Sequence, residues 1–544
     1  MRSRSRLLLL ALLLVAGTVA MAWDASAQEP VTSRFKLSIG GYIKAEALYK
    51  TNSGGFGFAG SIPGTQNFGF TAVPQHNTAA GENGQFNMLA NETRFQFTIN
   101  APDWRGLKSL GYLEMDFDGD NVNTITRYGG VAPPAGIGNP QGGGIQNGGF
   151  RIRHAFLRLA GEGLGGSWSV LFGQAWETFG MLPFYGGSSL SFGGATIFGG
   201  RSPQLTLRHD LRLFRDFTLQ TTIGAHNDWT QFNEVPRGEI SGRLIYSGWQ
   251  GFQGGSRTPL NLGISAMVGR QKADVQTAIG GAVGSFSFPS QRALSNTAWG
   301  FTGGIFLPIL PGRSATDRTF ALSAVSEAGY GEGVNTLIPG ANPLGGMTVG
   351  APNRGDPGSA FFKPGSCAFV IAPTLIAAAG TNPCAGAAPA GSLMLPTELS
   401  LVKAAWTSWN VQFYLPAGFW ISGGQKWVWF SNADNALAQT CINGATPAAC
   451  GAGAGLVTPV NQGRWNTHTA AGINNVQGGA AAGNLLAGRD AQLKRLHYNY
   501  VAAFYDMTPN IRLGFEWGMH GTNRKDSDQD NQSHRFQVGA YYFF

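Results

Sequence analysis

The chain alternates apolar and polar residues through most of its length, in segments of about 10 to 14 residues. In RFKLSIGGYIKAEALYK, Phe35, Leu37 and Ile39 fall on one face, and Lys36, Lys44 and Glu46 fall on the other. Successive side chains of a β-strand point to opposite faces, so a period of two predicts strands. The last segment, HRFQVGAYYFF, follows the same pattern up to its final residue.

Sixteen strands are predicted in this way. They lie near residues 35–49, 87–100, 107–118, 149–160, 167–177, 202–212, 215–226, 238–249, 256–270, 294–307, 317–331, 399–413, 417–430, 492–506, 509–520 and 533–544. The strand near 256–270 is rich in glycine and is the weakest of the set, which leaves the count open by two.

Alternation alone fits either a soluble sandwich or a transmembrane barrel, whereas the connection lengths separate them. Tight connections such as EGLGG and LPA alternate with much longer ones. Short turns at one end and long loops at the other are typical of outer-membrane barrels. The sequence therefore predicts an all-β fold, a 16-stranded antiparallel transmembrane β-barrel with long extracellular loops. Its apolar stripes face lipid, and its charged stripes face a wet lumen.

The final strand is expected to pair with the first, which removes the open edge of the sheet. Phe536, Tyr542 and Phe544 lie on its apolar face. A terminal phenylalanine preceded by alternating apolar residues also resembles the recognition signal of the outer-membrane assembly machinery, so that machinery is an expected partner.

Residues 1–27 are interpreted as a signal peptide, because three arginines precede a short apolar run and Ala25 and Ala27 form a cleavage pattern. Removing them takes away three Arg and one Asp and lowers the formal charge from +8 to +6. The remaining basic residues are spread along the chain, unlike those of nucleic-acid binders. Residues 28–544 are expected to form the barrel domain, exported to the outer membrane of a Gram-negative bacterium.

The four cysteines lie outside the alternating segments and suit an oxidising compartment. Three pairings are possible, and the sequence does not decide among them. Nearest-neighbour pairing would join Cys367 to Cys384 and Cys441 to Cys450, each pair within one loop.

Several segments resemble Gram-negative porins. RIRHAFLRLAGEGLGGSWSVLFGQAWETFG is similar to the strand, turn and strand that lead into the inward-folded third loop of porins, and GQAWETF resembles a segment of the DcaP-like trimeric porins. RSPQLTLRHD, GEISGRLIYSG and the final hairpin resemble later strands of that group. The resemblance implies a homotrimer in outer-membrane lipid and lipopolysaccharide, a third loop folded into the barrel, and passage of small anionic solutes such as dicarboxylates. This sequence departs from that group in one respect, because it shows no N-terminal heptad segment.

The loop after Glu177 contains no acid and no base but offers Phe184 and Tyr185 as constriction residues. An external loop without special role is the alternative. Residues opposite the apolar stripes are the candidate pore wall. The basic candidates are Arg94, Arg151, Arg153, Arg208, Arg212, Arg243, Arg495 and Arg512, and the acidic ones are Glu46, Glu114, Asp116, Asp118 and Glu516. Rings of arginine favour anions; the alternative is that many of these arginines simply pair with acids across strands.

For the strand near 149–160, the sequence does not decide which face is directed toward lipid and which toward the lumen. His154 and Phe156 are interpreted as lipid-facing, which would turn Leu157 and Leu159 inward, so this strand has either a bulge or the opposite register.

The sequence predicts a channel rather than an enzyme. His209 beside Asp210 is the only catalytic-looking pair noted, and chance explains it. DFDGDNVN has faint calcium-loop spacing, but neither a metal nor a cofactor is expected. We therefore predict a porin for passive diffusion of small hydrophilic solutes. The two alternatives are a barrel enzyme and a receptor with a closed lumen.

Overall fold

The computed structural model describes part of the chain. The described residues are 35–51, 84–90, 92–119, 149–180, 189–190, 197–198, 200–227, 236–274, 293–334, 337–338, 360–362, 367–371, 392–396, 398–432, 493–524 and 530–544. The signal peptide, Phe184, Tyr185, Cys384, Cys441 and Cys450 lie outside them, and Cys367 is described only in its backbone.

The described strands form a closed antiparallel barrel of 16 strands. They are β1 (Lys36–Lys50), β2 (Gln85–Leu89 and Arg94–Asn100), β3 (Lys108–Gly119), β4 (Gly149–Gly163), β5 (Gly166–Trp176), β6 (Arg201–Phe214), β7 (Phe217–His226), β8 (Arg237–Gln253), β9 (Ser256–Asp274), β10 (Ala293–Leu310), β11 (Leu322–Glu332), β12 (Lys403–Tyr414), β13 (Phe419–Phe430), β14 (Leu493–Thr508), β15 (Ile511–Arg524) and β16 (Asp530–Phe543). The predicted fold class is confirmed, including the weak strand β9.

Two short pairs lie in the connection between β11 and β12. Ala360–Phe362 pairs with Leu399–Leu401, and Cys367–Ile371 pairs with Ser392–Pro396. A 3-10 turn, Pro416–Gly418, joins β12 to β13. Among the described residues, no helix has the length and apolar character needed to cross a membrane.

The barrel closes between its first and last strands. Ile43 pairs with Tyr542 and Tyr49 with Phe536, and the N–H of Phe544 donates to the Gly41 carbonyl at 3.2 Å. Closure leaves no edge unpaired among the 16 described barrel strands, which is what a sheet needs in lipid. The prediction of a closing strand is confirmed.

The outer face is apolar. Ile39, Ile223, Ile264 and Phe515 are all exposed, and so is the Phe544 face of β16. Such a wide exposed apolar surface is not stable in water but is the surface that a bilayer covers. The alternating neighbours, among them Lys44, point into the barrel and are buried there.

Three strands depart from a regular pattern. β2 is interrupted, and its two segments both pair with β1. β4 contains a bulge, because Glu114 pairs with His154 while Met115 pairs with Ile152. β11 begins at Leu322 rather than near 317, because a turn precedes it in which the Arg313 N–H donates to Asp317 at 3.0 Å.

The bulge in β4 decides the open question of facing. One extra residue places both Arg153 and His154 on the inner side, where both are buried. Leu157 and Leu159 then face outward and are exposed. The bulge alternative is therefore confirmed, whereas the interpretation of His154 and Phe156 as lipid-facing is wrong.

Candidate functional site

The connection between β5 and β6 enters the barrel. Directly after β5, the Phe179 N–H donates to Glu239 Oε2 at 2.7 Å, and the Gly180 N–H donates to Ser265 Oγ at 3.0 Å. Glu239 and Ser265 are buried on the inner faces of β8 and β9. The chain therefore turns into the lumen as soon as β5 ends.

The root of this third loop is fixed by a buried ion network. Arg237 Nη2 lies 2.8 Å from Glu177 Oε1, and Arg237 Nε lies 2.8 Å from Glu239 Oε1. His226 Nε2 is 3.2 Å from Glu239 Oε2. All four side chains are buried. Buried charges need partners, so this network ties the start of the loop to β7 and β8.

Farther along, the third loop reaches the other side of the barrel. The Leu190 N–H donates to Glu516 Oε2 at 2.7 Å, and the Leu190 carbonyl accepts from Lys44 Nζ at 2.9 Å and from Tyr541 OH at 3.2 Å. Leu190 is fully buried. Because Lys44, Glu516 and Tyr541 lie on β1, β15 and β16, the loop spans the lumen.

Aromatic packing holds the loop against a third part of the wall. Phe179 and Phe198 pack edge-on at 4.7 Å between ring centroids, and Phe198 lies 5.0 Å from Trp406 on β12. All three rings are buried. The described loop residues thus contact the wall in three places, which supports an internal loop over the external alternative.

Glu114 and Asp116 lie on the inner face of β3 and are surrounded by arginines. Arg153 Nε is 2.7 Å from Glu114 Oε1, and Arg153 Nη1 is 2.9 Å from Asp116 Oδ2. Arg151 binds both oxygens of Asp116, at 2.9 and 2.6 Å. Arg94 Nε is 3.4 Å from Glu114 Oε1. These three candidate arginines therefore pair with acids across strands.

The acids around Leu190 are paired as well. Arg535 Nη2 lies 2.6 Å from Glu516 Oε1, and the same oxygen accepts from Tyr498 OH at 2.7 Å. Glu46 Oε2 is 2.7 Å from Lys44 Nζ, and Lys44 also binds Glu92 from the gap in β2. The gap brings Glu92 inward, which explains why β2 is interrupted there.

Other candidate arginines lie on a more open part of the inner wall. Arg208 and Arg212 share the inner face of β6 and are exposed, and Arg243 lies on the inner face of β8. Arg208 binds Asp210 through two hydrogen bonds, at 2.9 and 2.6 Å. Arg158, which was not among the candidates, is also exposed on the inner face of β4. The exposed arginines named here thus lie on β4 and β6, and Lys108 is exposed on the inner face of β3.

Two further candidates occupy the ends of the barrel. Arg512 is on the inner face of β15 at its short-turn end, with Nε 2.5 Å from Asp506 Oδ1. Arg495 stacks on the Trp427 ring at 4.9 Å and pairs in register with Trp429. Trp429 is exposed on the outer face, opposite the buried Lys426, so the structure places Arg495 on the outer side of the strand rather than in the lumen.

Sequence reasoning missed Arg201. It begins β6 and lies over the Trp176 ring at 4.7 Å, while Arg153 lies over the same ring at 5.6 Å. Among the described residues, Arg201 has no carboxylate within ion-pair distance, and its Nη1 is buried without a hydrogen bond. Because Arg201 directly follows a loop, the sequence before it shows no alternation from which the direction of its side chain could be inferred.

Metal binding finds no support in the described part of the chain, where no group of three or more His, Cys, Asp or Glu could hold a metal ion. The calcium-like spacing after Asp118 falls outside the described side chains.

No protein-family model matches the sequence, and the search of curated proteins finds no relative. Solved structures do match. The outer membrane channel DcaP of Acinetobacter baumannii is 14% identical, with 95% of this chain and 100% of that chain covered and a TM-score of 0.52. The anion-selective porin from Comamonas acidovorans is 9% identical over 94% of this chain and 100% of that chain, with a TM-score of 0.43. Salmonella typhi OmpF in complex with daunomycin is 12% identical over 95% and 100%, with a TM-score of 0.40.

The match to DcaP shows a shared fold. At 14% identity it extends no further than the fold, and the two lower TM-scores add nothing to it. The chain has the barrel fold of Gram-negative outer-membrane porins, as its sequence predicts.

Proposed function

We propose that this protein is an outer-membrane porin, a channel for passive diffusion of small hydrophilic solutes. The proposal is supported by a closed barrel with an apolar outer face and a charged inner face, and by the fold it shares with the DcaP channel. An internal loop that spans the lumen fits a channel that sieves solutes by size.

Selectivity for anions is the second part of the proposal, and one observation carries it. On the inner wall, Glu114 and Asp116 are buried and held by arginines, whereas Arg158, Arg208 and Arg212 are exposed. Among the acids on these two inner faces, Glu162 is exposed and Asp210 is paired with Arg208. Exposed guanidinium groups still outnumber exposed carboxylates on β4 and β6, and arginine-lined pores favour anions.

Dicarboxylates suit this wall. The planar guanidinium group binds both oxygens of one carboxylate, and Arg208 already binds Asp210 in this manner. Arg158 and Arg212, exposed on the inner faces of β4 and β6, each offer such a group to a carboxylate of the solute.

The expected partners belong to the same proposal. The apolar outer face is consistent with outer-membrane lipid and lipopolysaccharide, and a homotrimer would cover part of that face. The alternating face that ends at Phe544 is consistent with assembly by the outer-membrane machinery, after removal of residues 1–27.

A swelling assay with protein-loaded vesicles tests the proposal. Succinate, a diamine of similar size and a neutral sugar of similar size are compared as solutes, in vesicles with and without protein. We expect the protein to accelerate entry of all three and succinate most. Entry no faster than in empty vesicles would contradict the channel, and faster entry of the diamine would contradict anion preference.

A further inference from the structure

The β8–β9 hairpin departs from the barrel wall near its turn. Pro259 pairs with Gln250, but the next residue, Leu260, pairs with Tyr246, so residues 247–249 have no counterpart on β9. Extra residues on one strand bend the hairpin. We call residues 250–259 the hairpin tip. It lies at the short-turn end of the barrel, which is the periplasmic end of outer-membrane barrels.

The tip bonds to strands that are not its neighbours in the barrel. The Gly254 N–H donates to Gln412 Oε1 at 2.7 Å, and the Gly255 N–H donates to Tyr414 OH at 3.0 Å. Both acceptors are buried side chains on the inner face of β12, although β10 and β11 lie between β9 and β12. Ser323 Oγ on β11 donates to the Phe252 carbonyl at 2.6 Å. The tip is therefore folded inward, across the inner side of these strands.

A charged group from farther around the barrel holds the same tip. Arg512 Nη2, on β15, donates to the Gly254 carbonyl at 3.2 Å. Arg512 is oriented by Asp506, which also binds Arg318 from the β10–β11 turn. A Cβ on Gly255 would lie only 2.7 Å from Arg318 Nη1, and the φ of this residue is 92°. The positive φ favours glycine at this position.

Aromatic side chains fill the space around the tip. Phe252 and Tyr414 lie 5.8 Å apart, and Trp420 stacks on Phe504 at 4.0 Å between ring centroids. The Arg512 guanidinium lies over the Trp420 ring at 5.1 Å. Rings at these distances and a cation over a ring face stabilise each other. The tip is thus packed into a floor that extends from β8 around to β15.

We propose that the hairpin tip forms a second constriction, at the periplasmic mouth, distinct from the third loop. It covers the side of the mouth bounded by β8 to β15, so solutes leave along the opposite wall, where Arg158 and Arg212 are exposed on β4 and β6. This inference rests on the proposed channel function. It adds the tip to the third loop as a second element that limits solute size, while the arginines of the open wall control charge selectivity.

Shortening the hairpin is the direct test. Because Tyr246 and Leu260 are paired in register, residues 247–259 can be replaced by Asn-Gly, a sequence that favours a two-residue hairpin turn. We expect a larger single-channel conductance and a larger size cut-off in vesicle swelling, with anion preference retained. Replacing the turn residues Arg215 and Asp216 by Asn-Gly is the matched control, since that turn lies on the same rim; it should leave both quantities unchanged.

A second measurement needs no deletion. Ser256 is exposed at the tip, so Ser256→Cys can be modified by a bulky thiol reagent in the assembled channel. We expect the reagent to lower the conductance of this variant and not that of Asp216→Cys or of the wild type. If the shortened hairpin does not fold, this measurement tests the second constriction by itself.

The two proposals fail in different ways. A wild-type protein that carries no current would contradict the channel itself. A wild-type protein that conducts, together with no conductance change on Ser256→Cys modification or in a folded shortened hairpin, would leave the channel standing and overturn the second constriction.

Discussion

Replacing Arg237 by leucine is the sharpest test of how the third loop is held. Arg237 is 2% exposed and lies between two buried carboxylates, at 2.8 Å from Glu177 and at 2.8 Å from Glu239. Glu239 also accepts from the Phe179 N–H at 2.7 Å. The substitution therefore removes the arginine partner of two buried acids at the root of the loop.

The expected loss is large because the charges are buried. Removing one partner of a buried ion pair costs about 3–5 kcal/mol, since the remaining charge is left uncompensated in a medium of low dielectric constant. The leucine variant should lose free energy of unfolding in that range. Its third loop should also be released from β8, which would appear as open-channel current noise.

Arg208→Leu is the matched control. Arg208 and Asp210 are two residues apart on one strand, as are Arg237 and Glu239, but the Arg208 and Asp210 side chains are 45% and 23% exposed. Exposed pairs contribute only about 0–1 kcal/mol. Urea unfolding of both variants in lipid vesicles, followed by tryptophan fluorescence, measures the difference. Equal losses of stability, or a stable and quiet Arg237→Leu channel, would refute the reasoning.

Three further predictions concern other parts of the lumen. Replacing Arg208 and Arg212 together by serine should lower anion preference, measured as the reversal potential in a salt gradient; an unchanged potential would remove these residues from the selectivity. Arg153→Met alone should cost about 3–5 kcal/mol in urea unfolding, and Arg153→Met combined with Glu114→Gln should cost less than the sum of the single changes; additive losses would show that the two groups are not coupled. Trp406→Ala removes a buried ring that packs against the third loop and should cost about 3–5 kcal/mol, with a rise in current noise; a noise level equal to that of the wild type would show that the loop does not depend on it.

The sequence predicts the barrel well because each strand has its own alternation of apolar and polar residues. A period of two is local, and it survives even in the glycine-rich strand β9 (Ser256–Asp274). The closing strand could be inferred because the alternation continues to Phe544. The gap in β2 could not, because Glu92 binds Lys44 from the gap, a contact between residues far apart in sequence.

The site was predicted less completely, and the reason is tertiary. Arg237 has the same phase as the candidate Arg243, but the predicted strand begins at residue 238, so Arg237 is not among the candidates. Arg495 resembles a wall residue because it belongs to a polar stripe with His497 and Asn499, whereas the inner face of β14 carries the aromatic residues Tyr498 and Tyr500. The inward bend of the β8–β9 hairpin depends on acceptors on β12, among them Tyr414, which no local pattern connects to it.

Conductance of the purified protein in a planar bilayer, with reversal potentials in asymmetric salt, tests the central claim most directly. The account predicts discrete channel openings and a reversal potential of the sign that anion preference requires. The preference should shrink at high salt, because the screening length falls to about 3 Å at 1 M. A bilayer without channel openings, or a reversal potential of the sign that cation preference requires, would contradict it.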